Sequence, residues 1–274
     1  MQKYFVIIGG DTRLKYLKES LEDKNIAVDR IFGDIQEDNV SAFNKISSAD
    51  VIVFPVPISQ DKLHVFAPGY DKKILIEDIV RHISPTAYIF GGGAHPVFEN
   101  QKRYINLLED EVMTLKNAMA TAEAALSIII SRSEKTVAGS KITVLGFGRI
   151  GKIICRYLAP LNAEITVCAR KSIARAEAEI MGYQTTDFES FSNALNSSDI
   201  IINTVPFPVI TKKEMLCLKG NVFILDLASK PGGIDFSTAK MLGINYTHAL
   251  SLPGKYSPKS AAEYIEEQIL SKII

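Results

Sequence analysis

The chain has 274 residues, of which 47% are hydrophobic and 23% are charged, and its formal net charge is zero. This balance is typical of a globular protein and excludes disorder as the main state. It provides no bulk charge that would favour nucleic acid or an anionic membrane, so neither is expected as a partner. No apolar run approaches the roughly 20 residues that cross a bilayer, and the length predicts two modest domains.

The three cysteines, Cys155, Cys168 and Cys217, form no CxxC pair and leave an odd count. The sequence therefore predicts neither a disulfide framework nor a metal site. The first apolar run stops at Gly9 and Gly10, which is too short for a secretory signal peptide. We expect a cytoplasmic protein with reduced thiols.

The first half of the chain alternates short apolar runs with helical periodicity. Strands are predicted over residues 4–8, 28–32, 51–54 and 87–90. Helices are predicted around Leu14, Leu17 and Leu21, which recur at helical spacing, and over residues 74–83. This alternation predicts a parallel sheet covered by helices. Residues 1–118 are therefore interpreted as a smaller, flavodoxin-like α/β domain.

Long helices are predicted to link this domain to the rest of the chain. Residues 117–132 are rich in strong helix formers without Gly or Pro, which indicates a bridging helix, although an ordinary core helix fits the same pattern. Near the end, Ser257 and Pro258 fit an N-cap and a first helical position. Apolar residues then recur every four positions. We expect the C-terminal helix, within 255–274, to pack back on the N-terminal domain.

A second series of strands and helices starts at Lys141, and residues 119–254 are predicted to form the second domain. Its first strand runs into the segment Gly146-Phe147-Gly148-Arg149-Ile150-Gly151, and a predicted helix over 150–161 follows. A G-x-G-x-x-G turn in this context is the dinucleotide-binding fingerprint of the Rossmann fold. The glycines allow a tight turn, a close backbone approach to the pyrophosphate and close packing of helix on strand, and the helix N-terminus offers N–H groups to the phosphates. We therefore predict a doubly wound parallel sheet that binds a nicotinamide dinucleotide, with a ligand-free glycine turn as the alternative.

The end of the next predicted strand carries information about the cofactor. An NAD-specific site usually has Asp or Glu there, whereas this chain has Ala169 followed by four polar residues, Arg170, Lys171, Ser172 and Arg175. Guanidinium, ammonium and hydroxyl groups suit a ribose 2′-phosphate. NADP(H) is the preferred prediction and NAD(H) the alternative, while a solvated basic turn is the interpretation without a ligand.

Two later loops follow strands at the same predicted sheet edge, where open α/β sheets bind ligands. We expect them to flank the nicotinamide, although turn formation alone explains each equally well. Their candidate cofactor residues are Thr204, Val205 and Pro206 in the first loop and Ala228 and Ser229 in the second.

Candidate substrate residues are spread along the chain. Arg13, Lys230 and Lys255 are candidate carboxylate anchors, and Tyr256 is a candidate hydrogen-bond donor. His95 follows three glycines and is a candidate general base, and Lys255 is assigned with it to the catalytic group. A surface arginine and a hydrogen-bonded loop histidine are the alternatives without a catalytic role.

Five segments occur in an order that resembles the A subunits of dipicolinate synthase. They are Gly9-Gly10-Asp11-x-Arg13, Thr121-Ala122-Glu123-Ala124-Ala125, Gly146 to Gly151, Asp226 to Gly233, and Leu252-Pro253-Gly254-Lys255. The resemblance spans nearly the whole chain, with Ala124-Ala125 where the family's linker would have a Gly. More distantly, the layout resembles alanine dehydrogenase and D-2-hydroxyacid dehydrogenases, which have a split N-terminal domain and an inserted nucleotide domain.

The resemblance implies an enzyme that forms pyridine-2,6-dicarboxylate (dipicolinate) from a dihydro- or hydroxytetrahydrodipicolinate precursor of the lysine pathway. Together with the basic turn, it predicts an NADP-dependent oxidoreductase. It implies work with the flavoprotein-like B subunit of dipicolinate synthase in the mother-cell cytoplasm of a sporulating bacterium. We expect the small dicarboxylate to bind between the domains and to lose a hydride to the nicotinamide. An amino- or hydroxy-acid dehydrogenase, a non-catalytic nucleotide-binding subunit and a homo-oligomer all stay open.

Overall fold

The computed structural model describes residues 3–34 and 38–273. The chain divides into two compact units, one formed by Met1–Asn117 with Pro253–Ile274 and the other by Ala118–Leu252. Met1, Gln2 and Ile274, at the limits of the predicted N-terminal domain and terminal helix, lie outside the described residues. Within the described ranges, no helix is both long and apolar enough to cross a membrane.

The first unit contains a five-stranded parallel sheet. Its strands are β1 (Phe5–Ile8), β2 (Val28–Ile31), β3 (Val51–Val53), β4 (Tyr88–Gly91) and β5 (Tyr104–Asn106). They lie in the order β2-β1-β3-β4-β5, which is the flavodoxin-like doubly wound order. Because helices cover both faces, β1 and β3 are buried and apolar along their whole length. The predicted parallel α/β sheet is confirmed, and β5 is an addition that the sequence analysis missed.

Helices cover this sheet and join it to the second unit. They are α1 (Thr12–Asp23), α2 (Asn39–Ser48), α3 (Ile76–Val80), α4 (Glu111–Arg132), α10 (Leu252–Tyr256) and α11 (Pro258–Ile273). The last helix packs on the first: Ile265 and Ile269 share a core with Leu17 and Leu21. At the same contact, the buried Glu266 accepts a hydrogen bond from Ser20 (2.9 Å) and pairs with Lys24 (2.7 Å). The chain therefore returns to its starting unit at its C-terminal end.

The second unit contains a six-stranded parallel sheet. Its strands are β6 (Lys141–Leu145), β7 (Glu164–Cys168), β8 (Gln184–Thr186), β9 (Ile200–Asn203), β10 (Phe223–Asp226) and β11 (Asn245–His248). The order is β11-β10-β9-β6-β7-β8, so successive strands are added outward on one side from β6 to β8 and on the other side from β9 to β11, while all strands stay parallel. This is the Rossmann arrangement, and the predicted fold class is confirmed. The short polar strand β8 was not predicted, because Gln-Thr-Thr at a sheet edge lacks an apolar run.

The helices of this unit are α5 (Arg149–Leu158), α6 (Ser172–Ile180), α7 (Ser192–Ser197), α8 (Lys212–Met215) and α9 (Phe236–Met241). Helix α5 ends earlier than predicted, because Pro160 follows and residues 159–161 form a 3-10 turn. Helix α7 begins only at Ser192. Before it, the Asp187 side chain accepts hydrogen bonds from the N–H groups of Glu189 and Ser190, which makes a turn.

Candidate functional site

The glycine turn between β6 and α5 is built as the sequence motif requires. The Gly146 N–H donates to the Cys168 carbonyl (2.8 Å), and the residue has a φ of +92°, a conformation that glycine adopts without strain. Gly151 lies so close to this turn that a Cβ on it would overlap the Gly146 carbonyl oxygen. Gly146 and Gly151 are therefore needed to form the turn and to seat the helix on it.

Gly148 has a different role. It is the N-cap of α5 with ordinary φ and ψ angles of −85° and −162°, and a Cβ there would meet no atom within 4 Å. Neither conformation nor packing inside the protein requires glycine at this position. The open space lies at the N-terminus of α5, where the N–H groups of a first helical turn and the positive end of the helix dipole favour phosphate. The residues present thus fit a dinucleotide pyrophosphate.

A pocket of about 1000 Å³ opens beside this turn. Its wall is formed by the glycine turn, the basic turn after β7, the loop after β8 and the loop after β9. The lining residues are Gly146, Phe147 and Gly148; Ala169, Arg170, Lys171, Ala174 and Arg175; Asp187, Phe188 and Glu189; and Val205, Phe207 and Val209. Seven predicted cofactor residues are therefore brought together here, from three separate stretches of sequence.

Within the part of the chain that the structure describes, the other predicted cofactor residues do not line this pocket. They are Arg149, Ile150, Gly151, Ser172, Thr204, Pro206, Ala228 and Ser229. Thr204 instead fastens the glycine turn, since its hydroxyl donates to the Leu145 carbonyl (2.9 Å). Ser172 is the first residue of α6.

The basic turn is held in place by one of its own cations. Arg175 Nη1 donates to the carbonyl oxygens of Ala169 (2.8 Å) and Arg170 (3.1 Å). Arg170 and Lys171 are exposed beside it. Two cations thus face solvent at the predicted 2′-phosphate position, while Arg175 shapes the turn that presents them.

The loop after β8 brings an acidic residue into the pocket that the sequence analysis did not single out. The N–H of Ser190, and to a lesser extent the charge of Arg175, hold the pKa of Asp187 below its usual value. The missing information was the strand itself: without β8, residues 187–189 could not be placed at the sheet edge. A Rossmann sheet requires a strand between α6 and α7, and that requirement was the available signal.

A buried carboxylate organises the loop after β10. Asp226 is fully buried and accepts hydrogen bonds from Asn203 Nδ2 (2.8 Å), the Ala228 N–H (3.0 Å) and the Gly233 N–H (2.8 Å). These bonds replace the water that a carboxylate loses on burial. They fix the loop, and Ser229 and Lys230 lie exposed at its tip.

In the first unit, two predicted substrate segments come together from opposite ends of the chain. A Cβ on Gly254 would lie 2.8 Å from Asp11 Oδ2 and 3.0 Å from Arg13 Nε, so α10 passes directly over this pair. Arg13 is buried, with Nη2 bonded to Asp11 Oδ2 (2.9 Å) and the Val56 carbonyl (2.5 Å). Lys255, next in the chain, is exposed. The Asp11 charge compensates Arg13, so Lys255 carries the net positive charge here.

His95 has backbone partners on both ring nitrogens. Its Nδ1 accepts from the Val97 N–H (3.3 Å) and its Nε2 donates to the Lys62 carbonyl (2.9 Å). A pocket of about 430 Å³ beside it is also lined by Glu99, Tyr104 and Glu109. Burial, with a contribution from Glu109, raises the pKa of Tyr104 to about 12. To act as a base, His95 would have to release one of its backbone partners.

Each of the two units resembles a domain of known proteins. Residues 4–109 match the family model for the N-terminal domain of the dipicolinate synthase A subunit, and residues 113–224 match the NAD binding domain of D-isomer specific 2-hydroxyacid dehydrogenases. The dipicolinate synthase A subunit of Bacillus subtilis is 28% identical over 98% of this chain and 94% of its own length. The crystal structure of the corresponding protein from Bacillus halodurans superposes with a TM-score of 0.87 at 26% identity, covering 99% of this chain and 98% of the other.

A more distant structure shows how widely the architecture occurs. Phosphoglycerate oxidoreductase from Vibrio cholerae has 13% identity and a TM-score of 0.67 over 98% of both chains, a likeness of fold alone. The fold and the glycine-turn pocket define an NAD(P)-dependent oxidoreductase of the two-domain dehydrogenase type. Within that class, the chain is related along its whole length to the A subunits of dipicolinate synthase, which confirms the resemblance seen in the sequence.

Proposed function

We propose that the chain is an A subunit of dipicolinate synthase that oxidises a dihydro- or hydroxytetrahydrodipicolinate precursor to dipicolinate with NADP⁺. The whole-length similarity to the Bacillus subtilis protein carries this proposal. A dihydro precursor loses one hydride and one proton from its ring, a hydroxytetrahydro precursor must lose one water as well, and aromatisation makes the change favourable. When bound, the nicotinamide supplies the hydride acceptor.

The residues that would hold the cofactor follow from the pocket. The glycine turn and the N-terminus of α5 would bind the pyrophosphate, and Arg170 and Lys171 would bind the 2′-phosphate. Arg175 would keep these two in place through its bonds to the turn. Thr204 would support the glycine turn through its bond to the Leu145 carbonyl, and Ala228 would support the loop after β10 through its bond to Asp226, with Ser229 exposed at the tip of that loop.

The preference for NADP can be tested by calorimetric titration of the purified chain with NADPH and NADH. Hydrogen bonds to charged groups contribute about 1.5–3 kcal/mol each, and exposure reduces this, so we expect NADPH to bind roughly ten- to a hundredfold more tightly. Arg170→Ala should weaken NADPH alone. Arg156→Ala, which removes an exposed arginine on α5 outside the pocket, should change neither affinity. Equal affinities for NADPH and NADH in the unmodified chain would refute the preference.

For the substrate, we propose Lys255 as the main carboxylate anchor, with Tyr256 beside it as a further polar contact. Arg13 contributes chiefly by fixing the backbone beneath α10, because Asp11 and Val56 occupy its Nε and Nη2. We assign His95 to holding the loop after β4, through its bonds to Lys62 and Val97. With His95 in this structural role, the proton that the substrate ring loses would pass to water or to another group beside the substrate.

The activity is tested with the chain alone and with a flavoprotein-like B subunit of dipicolinate synthase, which we propose as its partner. Dipicolinate formation is followed by absorbance with NADP⁺ and with NAD⁺. The match of residues 113–224 favours one alternative, a hydroxy-acid dehydrogenase, which would oxidise NAD(P)H with a 2-keto acid instead. Nucleotide binding without turnover in any mixture would favour a non-catalytic role. We place the activity in the mother cell during sporulation, which a fluorescent fusion would test.

A further inference from the structure

Asp187 stands beside the position at which an NAD-specific site would carry its acid. Cys168 at the end of β7 pairs with Thr186 of β8, and the Ala169 N–H donates to the Thr186 carbonyl (3.1 Å). The residues that follow, Ala169 and Asp187, therefore lie on neighbouring strand ends, about 4.8 Å apart in the direction across the sheet. The chain has no carboxylate at the end of β7, where the ribose is expected. It has one, Asp187, at the end of the neighbouring strand β8, which lies further from the glycine turn.

The side chain of Asp187 is held in place within the pocket wall. Its Oδ1 accepts the N–H groups of both Glu189 (3.1 Å) and Ser190 (2.9 Å). A carboxylate has about four acceptor positions, so these two bonds leave it able to accept from a ligand. Ionised, it has no proton to donate, so it would attract an amino group and repel a carbonyl oxygen or a phosphate.

The surfaces around Asp187 suit a flat ring. Phe188 precedes Glu189 in the same loop, and across the pocket the loop after β9 contributes Val205, Phe207 and Val209. Phe207 is 69% exposed, so much of its surface is available for a ligand to cover. Apolar and aromatic surfaces bind the faces of a heterocycle, while one polar group at its edge decides which heterocycle is accepted.

We propose that Asp187 selects adenine as the base of the cofactor by accepting a hydrogen bond from its exocyclic amino group. This inference rests on the proposed function in one respect, which is that the pocket takes a nicotinamide dinucleotide. Arg170 and Lys171 face the ribose end from the β7 side, and Asp187 faces the base from the β8 side. The residues after β7 would thus bind the 2′-phosphate, and the residue after β8 would bind the base.

The test compares NADH with reduced nicotinamide hypoxanthine dinucleotide, in which a ring carbonyl replaces the amino group. Binding of each to the full chain is measured by calorimetry. We expect the unmodified chain to bind NADH about tenfold more tightly. Asp187→Asn keeps an oxygen for the Glu189 and Ser190 N–H groups but presents an amino group to the ligand. It should abolish or reverse the preference.

Glu189→Gln is the matched control, because it removes the same charge from the same loop and the same pocket wall. We expect it to keep the tenfold preference for NADH. Equal binding of the two nucleotides by the unmodified chain would overturn the inference, and so would the same loss of preference in Glu189→Gln. A third contrary result is an Asp187→Asn variant that binds NADPH more tightly while its preference for NADH over the hypoxanthine analogue is unchanged, because the carboxylate then acts only by repelling the 2′-phosphate.

These outcomes are distinct from failure of the proposed function. If no dinucleotide binds to the folded chain, both proposals are wrong. If NADPH and NADH bind but the base is not discriminated, only the role of Asp187 is wrong. Circular dichroism of each variant confirms that the compared proteins are folded.

Discussion

Alanine at Gly148 and at Gly151 should separate the binding role of the glycine turn from its folding role. At Gly148 a Cβ meets no protein atom within 4 Å and the backbone angles are ordinary, so the fold can accept alanine. Alanine is a poorer N-cap than glycine, which lowers the free energy of unfolding by about 0.5–1 kcal/mol. In the complex, the added methyl group would occupy the space that we assign to the pyrophosphate. We expect dinucleotide affinity to fall by about a hundredfold.

Gly151→Ala, in contrast, should act mainly on the stability of the fold. Its Cβ would overlap the Gly146 carbonyl oxygen far inside the 3.4 Å of an ordinary contact, so α5 must shift away from the turn. Overpacking of this kind lowers the free energy of unfolding by about 1–3 kcal/mol, and the better helix propensity of alanine returns at most about 1 kcal/mol. We therefore expect a net loss of stability of about 1–2 kcal/mol.

Urea unfolding and calorimetric titration with NADPH measure the two effects on the same proteins. Gly220→Ala is the control, because its Cβ also meets no atom within 4 Å and it lies outside the pocket wall. It should leave both quantities unchanged. Normal NADPH binding by Gly148→Ala would refute the placement of the pyrophosphate. Full stability of Gly151→Ala would refute the packing argument.

Three further predictions concern other parts of the chain. Lys255→Ala should raise KM for the dicarboxylate about tenfold without weakening nucleotide binding, whereas Lys259→Ala, one turn further along, should leave KM unchanged. Hydrogen bonds, chiefly from the hydroxyls of Ser237 and Thr238, hold the pKa of Asp235 at about 2 instead of 3.8. The contribution of Asp235 to the free energy of unfolding is therefore complete above pH 4 and is lost as the pH falls through 2. Asp235→Asn should show a flatter acid dependence in urea unfolding. Glu266→Gln breaks a half-buried ion pair and should lower the free energy of unfolding by about 1–2 kcal/mol, while the exposed Glu267→Gln should have little effect.

Much of the fold could be predicted because the information was local. β1 is buried and apolar throughout, and β6 and β9 are buried and apolar over most of their length, so these runs are visible without knowing their neighbours. The glycine turn was also recognisable, since its spacing between a strand and a helix reflects steric demands within a few residues. The short edge strands β5 and β8 carry no such pattern, because only part of each is covered by the protein.

The sequence by itself therefore determined the class of fold, the glycine turn and the family resemblance. Only the tertiary structure decided which side chains share a site. It placed Asp187 beside Ala169 through the pairing of β8 with β7, and Gly254 against Arg13 through the return of the chain to its first unit. It also showed that Arg13 and His95 have partners in the protein. The physical reason is that propensity and periodicity arise from neighbours in the chain, whereas hydrogen-bond partners and burial depend on residues that folding brings together.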